Sequence, residues 1–161
     1  MNEEQAFILN VALSGRSLFM TGPGGVGKSY MIHHIRNHLR RRNVHVTALT
    51  GCAAVLIKGT TLHSWAGLNT SNSDKNADYI AETMTKKAIW RWKKTHVLII
   101  DEVSMLSKDL FEKLSEIGQI LRNNTRPFGG IQLIFSGDFL QLPPVIKSKM
   151  EDADKFAFCS S

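Results

Sequence analysis

Short runs of apolar residues alternate with segments of helical periodicity along the 161 residues of the chain. An unbroken apolar run of four or five residues favours a strand that is buried on both faces of a parallel sheet. Apolar residues spaced three and four positions apart favour a helix with one buried face. The alternation predicts an α/β fold, with strands at 16–21, 44–50, 95–101 and 131–136 and helices within 2–15, 30–39, 53–57, 79–90 and 110–121.

The predicted helices are bounded by local signals. Asn2 and Gln5 have the spacing of a capping box, and Gly15 suits a helix C-terminus. The polar segment 69–78 predicts a loop, whereas the mixed segment after Val145 carries no readable signal. The residues expected on buried helix faces are Phe7, Ile8, Val11 and Ala12, then Met31, Ile32, Ile35 and Leu39, and then Leu110, Leu114, Ile117 and Leu121.

A phosphate-binding motif follows the first predicted strand. Residues 22–29 read G-x-x-x-x-G-K-S between a strand and a helix. Inward-turned backbone N–H groups and the helix N-terminus suit phosphate oxygens, while the alternative is a glycine-rich turn that binds nothing. We expect Lys28 to bridge the β- and γ-phosphates of ATP and Ser29 to hold Mg²⁺. The residues assigned to the nucleotide from this motif are Gly22, Gly24, Gly25, Val26, Gly27, Lys28 and Ser29.

An acidic motif ends the third predicted strand. The apolar run 97–100 leads directly into Asp101 and Glu102, and parallel sheets bind ligands at the carboxyl ends of their strands. We expect Asp101 to bind Mg²⁺ and Glu102 to orient or activate a water against the γ-phosphate. The alternative interpretation is a helix that begins at these two residues, because acidic residues are common in a first helical turn. The upstream phosphate-binding motif favours the catalytic interpretation.

Composition narrows the class of protein. The chain has 43% hydrophobic and 21% charged residues, which is typical of one globular domain, and no apolar run approaches the ~20 residues of a membrane span. The first four residues lack the features of a secretory signal, and Cys52 and Cys159 lack the spacing of a metal site. We therefore expect an intracellular, reducing compartment. We also expect the histidines of the second helix to be structural, namely His33, His34 and His38.

The net charge of +6 favours a polyanionic partner. The positive charge lies in two clusters. The first cluster ends the second helix, where basic residues also complement the helix dipole. The second cluster surrounds Trp90 and Trp92, and these aromatic rings could stack on bases or cover the core. The clusters are Arg36, Arg40, Arg41 and Arg42, and then Lys86, Lys87, Arg91, Lys93 and Lys94.

Five separated segments together resemble one family of motor proteins. The segments are Thr-Gly-Cys-Ala-Ala at 50–54, Gly-Thr-Thr-Leu-His-Ser-Trp-Ala-Gly at 59–67, Ile-Asp-Glu-Val-Ser-Met at 100–105, Pro-Phe-Gly-Gly-Ile-Gln-Leu-Ile at 127–134 and Ser-Gly-Asp-Phe-Leu-Gln-Leu-Pro-Pro-Val at 136–145. With the phosphate-binding motif, they resemble the petite-integration-frequency (PIF-type) helicases. Members of this family are superfamily 1 motors that move 5′ to 3′ on single-stranded DNA. The resemblance runs from Gln5 to Val145.

The resemblance implies further roles. Gln5 would contact the adenine ring, in addition to or instead of capping its helix, and Gln141 would contact the γ-phosphate. Two segments would contact single-stranded DNA, through Thr50 and Gly51 and through Thr61, His63 and Ser64. Relatives often carry another small residue at the position of Cys52 in the first segment, so we expect Cys52 to be packed rather than reactive. Small polar side chains and backbone N–H groups are suitable partners for DNA phosphates.

The resemblance also implies an architecture. Residues 1–161 would form a single RecA-like P-loop ATPase lobe, with the fourth predicted strand between the first and the third. A second motor lobe, normally in the same chain, would complete the ATP site and the track for single-stranded and forked DNA. We expect residues 1–161 alone to hydrolyse ATP slowly and not to unwind DNA. The alternatives are a P-loop nucleoside or nucleotide kinase and a nucleotide-gated DNA-binding module without hydrolysis.

Overall fold

Strands and helices alternate along the part of the chain that the structure describes. This computed structural model describes residues 2–21, 26–138, 144 and 156–160, with the backbone alone for Val26 and for 156–160. The strands are β1 Ser17–Thr21, β2 Val44–Ala48, β3 Thr60–Thr61, β4 Val97–Asp101, β5 Gln132–Ser136 and β6 Phe156–Ser160. The helices are α1 Glu3–Leu13, α2 Val26–His38, α3 Gly51–Leu56, α4 Leu62–Ala66, α5 Ala77–Thr83, α6 Lys86–Lys94 and α7 Lys108–Arg122, with 3₁₀ turns at Val103–Met105 and Pro127–Gly130.

The strands form one sheet in the order β3-β2-β4-β5-β1-β6, and every pairing is parallel. The predicted α/β class is thus confirmed, as is the position of β5 between β1 and β4. In register, Ala48 pairs with both Thr61 and Asp101. The carboxyl ends of β2, β3 and β4 therefore lie level with one another, which places the residues after them at one edge of the sheet.

The apolar runs are buried because helices cover both faces of the sheet. In β4, Val97 and Ile99 pack into a core shared with α1, α2 and α3. Leu98 and Ile100 point to the opposite face and pack with α4, α5, α6 and α7. Side chains of successive strand residues point to opposite faces, so an unbroken apolar run supplies both cores.

Two details of the predicted elements were wrong. Phe7, expected on the buried face of α1, is exposed, and Leu9 is buried on that face instead. The predicted helix over 79–90 is two helices, since Met84 is extended and the side chain of Thr85 caps α6 through the Ala88 N–H. The segment after Val145, for which there was no prediction, contains a strand, β6, that pairs with β1 along its whole length. No helix among the described residues is long and apolar enough to cross a membrane.

Candidate functional site

A cleft of about 370 Å³ opens at the carboxyl edge of the sheet. Four of the residues assigned from sequence line it, namely Lys28, Ser29, Asp101 and Glu102. Lys28 and Ser29 belong to the first turn of α2, whereas Asp101 ends β4 and Glu102 follows it. The sheet order explains the meeting, because only β5 separates β1 from β4.

The phosphate side of the cleft is built on the N-terminus of α2. The first N–H groups of a helix have no partner within the helix, and its dipole favours an anion there. Lys28 and Ser29 are half-buried, and a Cβ atom added to Gly27 would meet nothing within 4 Å. Gly22, Gly24, Gly25, Gln141 and the side chain of Val26 lie outside the described residues.

The acidic side of the cleft has an unusual backbone. Glu102 has φ 56° and ψ 40°, in the left-handed region that residues other than glycine rarely adopt. Its carbonyl oxygen accepts a hydrogen bond from the Met105 N–H at 2.9 Å, which holds the 3₁₀ turn that follows. Such backbone strain is concentrated at functional sites. The half-buried carboxylates of Asp101 and Glu102 thus face the same cleft as Lys28.

Asp138 also lines the cleft, although the sequence analysis gave it no role. It lies two residues after β5, a strand that is buried throughout, just as Asp101 and Glu102 lie at the end of β4. An acidic residue just past a buried parallel strand is the signal that could have identified it.

Thr50 connects the acidic side of the cleft to a segment assigned to DNA. Its hydroxyl donates a hydrogen bond to Oε1 of Glu102 at 2.9 Å. The hydroxyl oxygen of Thr50 also accepts a hydrogen bond from the Ala53 N–H at 3.3 Å and so caps α3. Gly51, the first residue of α3, is exposed, and a Cβ atom there would meet nothing within 4 Å.

The second segment assigned to DNA lies at the same edge of the sheet. Thr61 ends β3, level with Ala48, and its side chain caps α4 through the Ser64 N–H at 3.2 Å. His63 and Ser64 are exposed. From behind, Arg91 of α6 donates hydrogen bonds to the carbonyl oxygens of Ser64 at 3.1 Å and of Trp65 at 2.7 Å. Arg91 therefore holds the position of the segment.

The capping box predicted for α1 is confirmed. The Gln5 N–H donates to Oδ1 of Asn2 at 2.8 Å, and Oε1 of Gln5 accepts from the Asn2 N–H at 3.2 Å. The half-buried Gln5 side chain thus orders the start of α1. Its contact with adenine stays a prediction.

The packed environment expected for Cys52 was wrong. Its thiol is free and the residue is exposed, because α3 buries Ala54 and leaves its first turn toward solvent. On α2, the rings of His34 and His38 lie 4.4 Å apart, and Nδ1 of His38 lies 2.9 Å from the His34 carbonyl oxygen. Nδ1 of His38 is therefore hydrogen-bonded within α2.

Comparison with known proteins gives a consistent result. A family model described as PIF1-like helicase matches residues 1–161. The ATP-dependent DNA helicase PIF1 of Candida albicans is 46% identical over 171 residues, covering 100% of this chain and 19% of that protein. The crystal structure of Pif1 helicase from Candida albicans superposes with a TM-score of 0.84 at 42% identity, covering 100% of this chain and 40% of that one.

A more distant structure was solved with ligands. Pif1 helicase from Bacteroides in complex with ADP-AlF3 and ssDNA has a TM-score of 0.76 at 25% identity. The match covers 99% of this chain and 42% of that one. The chain therefore spans less than half the length of the relatives it matches.

Proposed function

Because the chain belongs to the PIF1-like helicase family, we propose that it is the ATP-binding and ATP-hydrolysing motor lobe of a 5′-to-3′ DNA helicase. The observation that carries this proposal is the meeting of Lys28, Ser29, Asp101 and Glu102 around one cleft. The Bacteroides relative, with ADP-AlF3 and ssDNA together, supports both ligands. We assign residues 1–161 to a single RecA-like lobe.

The donors in the cleft suit ATP and Mg²⁺. The Lys28 ammonium group and the N-terminus of α2 offer positive charge to the β- and γ-phosphates. The Ser29 hydroxyl and the Asp101 carboxylate are hard oxygen ligands of the kind Mg²⁺ prefers, and they would hold the ion. When bound, Mg²⁺ neutralises charge on the phosphate oxygens.

Glu102 is the candidate base of this site. Its carboxylate lies beside Asp101 on the cleft, where it can accept a proton from a water aligned on the γ-phosphate. We assign Gln141 to γ-phosphate contact and Gln5 to adenine contact from the family resemblance. Attack by water distinguishes this site from a nucleoside kinase, which transfers the phosphoryl group to a substrate hydroxyl.

Single-stranded and forked DNA are the proposed substrates. Thr50, Gly51, Thr61, His63 and Ser64 would contact the strand along one edge of the sheet, since β2 and β3 end level with each other. Their hydroxyl and N–H groups suit phosphates, which position the strand without reading its sequence. A second lobe elsewhere in the full-length protein would supply the rest of the DNA track and of the ATP site.

The exposed face of α6 is a further candidate DNA contact. At 100° per residue, five side chains share one face, with Ala88 and Trp92 buried on the other. Trp92 donates its indole N–H to the Ala66 carbonyl oxygen at 2.9 Å, so it belongs to the core, whereas Trp90 is 62% exposed. Arg91 joins this helix to the Thr61–Ser64 segment. The basic face of α6 consists of Lys86, Lys87, Trp90, Lys93 and Lys94.

Fluorescence tests this basic face, because Trp65 and Trp92 are only 2% and 0% exposed. We expect an oligonucleotide to quench the emission of Trp90 by stacking, and Trp90→Phe to abolish the quenching. Replacing Lys86 and Lys87 by alanine should reduce the salt dependence of binding, by about one unit for each DNA phosphate that is no longer neutralised. Alanine at Arg40 and Arg41, which are exposed in the turn after α2, is the control of equal charge. Equal effects in the two double variants would contradict the assignment.

The ATPase proposal is tested in the full-length protein. Lys28→Ala should abolish binding of a fluorescent ATP analogue without unfolding the lobe, since the half-buried side chain faces the cleft. Glu102→Gln should retain nucleotide but lose turnover by a factor of about 100 or more. Parental turnover by Glu102→Gln would refute its role as the base, and phosphoryl transfer to a nucleoside would favour the kinase.

A further inference from the structure

The hydroxyl of Thr50 has one proton, and that proton is committed to Glu102. A threonine hydroxyl donates one hydrogen bond and accepts up to two. Here it donates to Oε1 of Glu102 at 2.9 Å and accepts from the Ala53 N–H at 3.3 Å. A DNA phosphate carries only acceptors, so Thr50 can donate to a phosphate only by releasing the carboxylate.

We propose that Thr50 is a positioning residue that makes ATP hydrolysis depend on bound single-stranded DNA. Without DNA, the hydroxyl holds the Glu102 carboxylate against the start of α3. A phosphate of the strand replaces the carboxylate as the acceptor of the hydrogen bond from the Thr50 hydroxyl. The Glu102 carboxylate is thereby freed. The freed carboxylate accepts a hydrogen bond from the water that attacks the γ-phosphate. This inference rests on the proposed function, and it adds the regulation of the same site.

The local structure restricts the change to side chains. The backbone of Glu102 is fixed in the left-handed region, between the end of β4 and the hydrogen bond from the Met105 N–H at 2.9 Å. The cap on α3 uses a lone pair of the Thr50 oxygen and not its proton, so the cap can persist when the proton changes partner. No covalent bond of Thr50 forms or breaks. The water loses one proton to Glu102 as its oxygen bonds to the γ-phosphorus, while the bond from the γ-phosphorus to the β–γ bridging oxygen breaks and ADP leaves.

The test compares Thr50→Val with Thr50→Ser in the full-length protein. ATP turnover is measured without DNA and with saturating oligo-deoxythymidine, and the DNA affinity is measured separately. Thr50→Val should raise the DNA-free rate by about 3- to 10-fold, the scale of the net contribution of one typical intramolecular hydrogen bond. Its stimulation by DNA should fall by the same factor, while the rate at saturating DNA stays parental. Thr50→Ser, which keeps the proton, should preserve the parental ratio.

Thr85→Val is the matched control, because the Thr85 side chain also caps a short helix, α6, through the Ala88 N–H at 3.2 Å, with no described bond to a carboxylate. It should leave the DNA-free rate and the stimulation by DNA unchanged. Thr50→Ala repeats the test with a smaller side chain, should valine disturb α3. An unchanged or lower DNA-free rate in both Thr50 variants would overturn the coupling. Glu102→Gln in the same assay separates the failures, since parental turnover there would refute the base itself.

Discussion

The Pro127–Gly130 turn lies in close backbone contact with α7. Gly129 has φ 65°, and a Cβ atom there would lie 2.3 Å from the Gly118 carbonyl oxygen. Reciprocally, a Cβ atom on Gly118 would lie 2.5 Å from the Phe128 carbonyl carbon. Phe128 itself has φ 54° and is completely buried beneath the turn. We therefore predict that alanine at either glycine destabilises the fold.

The magnitude follows from two separate costs. A left-handed conformation costs a residue with Cβ about 1–2 kcal/mol, and forcing extra atoms into a packed contact costs about 1–3 kcal/mol. Gly129→Ala incurs both, or about 2–5 kcal/mol. Gly118→Ala incurs only the second and regains about 1 kcal/mol of helix propensity. Gly15→Ala isolates the first, because Gly15 has φ 87° with nothing within 4 Å of a Cβ atom.

Thermal unfolding of the 161-residue chain, followed by circular dichroism, measures all three variants. A chain of this size loses about 2–4 °C in melting temperature per kcal/mol. Gly129→Ala should therefore melt about 4–20 °C lower, and lower than either Gly118→Ala or Gly15→Ala. If Gly129→Ala melted no lower than Gly15→Ala, the contact with α7 would have no energetic consequence and the packing argument would be refuted.

Two further predictions concern half-buried polar side chains on the face of the sheet that α6 and α7 cover. The Arg122 guanidinium donates to the carbonyl oxygens of Trp92 at 2.8 Å, Lys93 at 3.0 Å, Thr95 at 3.1 Å and Gly129 at 2.9 Å. Arg122→Ala should lower the free energy of unfolding, measured in urea, by about 2–4 kcal/mol. Arg122→Lys should recover less than half of that loss, since one ammonium group cannot reproduce the geometry of the guanidinium donors. Full recovery of stability by lysine would contradict this prediction. Burial, and secondarily the positive charge of Arg91, lowers the pKa of His45. The unfolded chain therefore binds this proton more readily, so the free energy of unfolding should fall as the pH drops below the unfolded value of about 6.5, and His45→Gln should flatten that dependence between pH 7 and pH 5. An unchanged slope would exclude His45 as its source.

The elements that the sequence predicted well are those with local causes. The capping box at Asn2 and Gln5 and the four apolar runs require no knowledge of distant residues. The break at Met84 and Thr85 was missed because Lys86 and Lys87 follow the cap. Basic residues in a first helical turn oppose the helix dipole and so conceal a helix start. Strand β6 was missed because its partner β1 lies more than 130 residues earlier, a pairing that no local pattern encodes.

The same contrast applies to the residues of the candidate site. Lys28, Ser29, Asp101 and Glu102 lie in motifs whose spacing carries their chemistry, so the sequence could assign them before the sheet order was known. Trp90 and Trp92 are two positions apart, or about 200° around a helix, so one must face outward. Which one does so depends on the Ala66 carbonyl oxygen that receives the Trp92 N–H, and this is a tertiary contact.

The bond between Thr50 and Glu102 depends on strand register more than on either residue alone. Ala48 of β2 pairs with Asp101 of β4, so the chain continues for two residues to Thr50 on one strand and for one residue to Glu102 on the other. A slip of one residue would turn every side chain of β2 to the opposite face and would carry Thr50 away from the carboxylate. Two contacts of β2 fix this register. Val46 packs into the core on one face of the sheet, and the hydroxyl of the buried Thr47 donates a hydrogen bond to the Ile99 carbonyl oxygen. The distance between the segment assigned to DNA and the candidate base is therefore set by the packing of the sheet, and one hydrogen bond suffices to connect them.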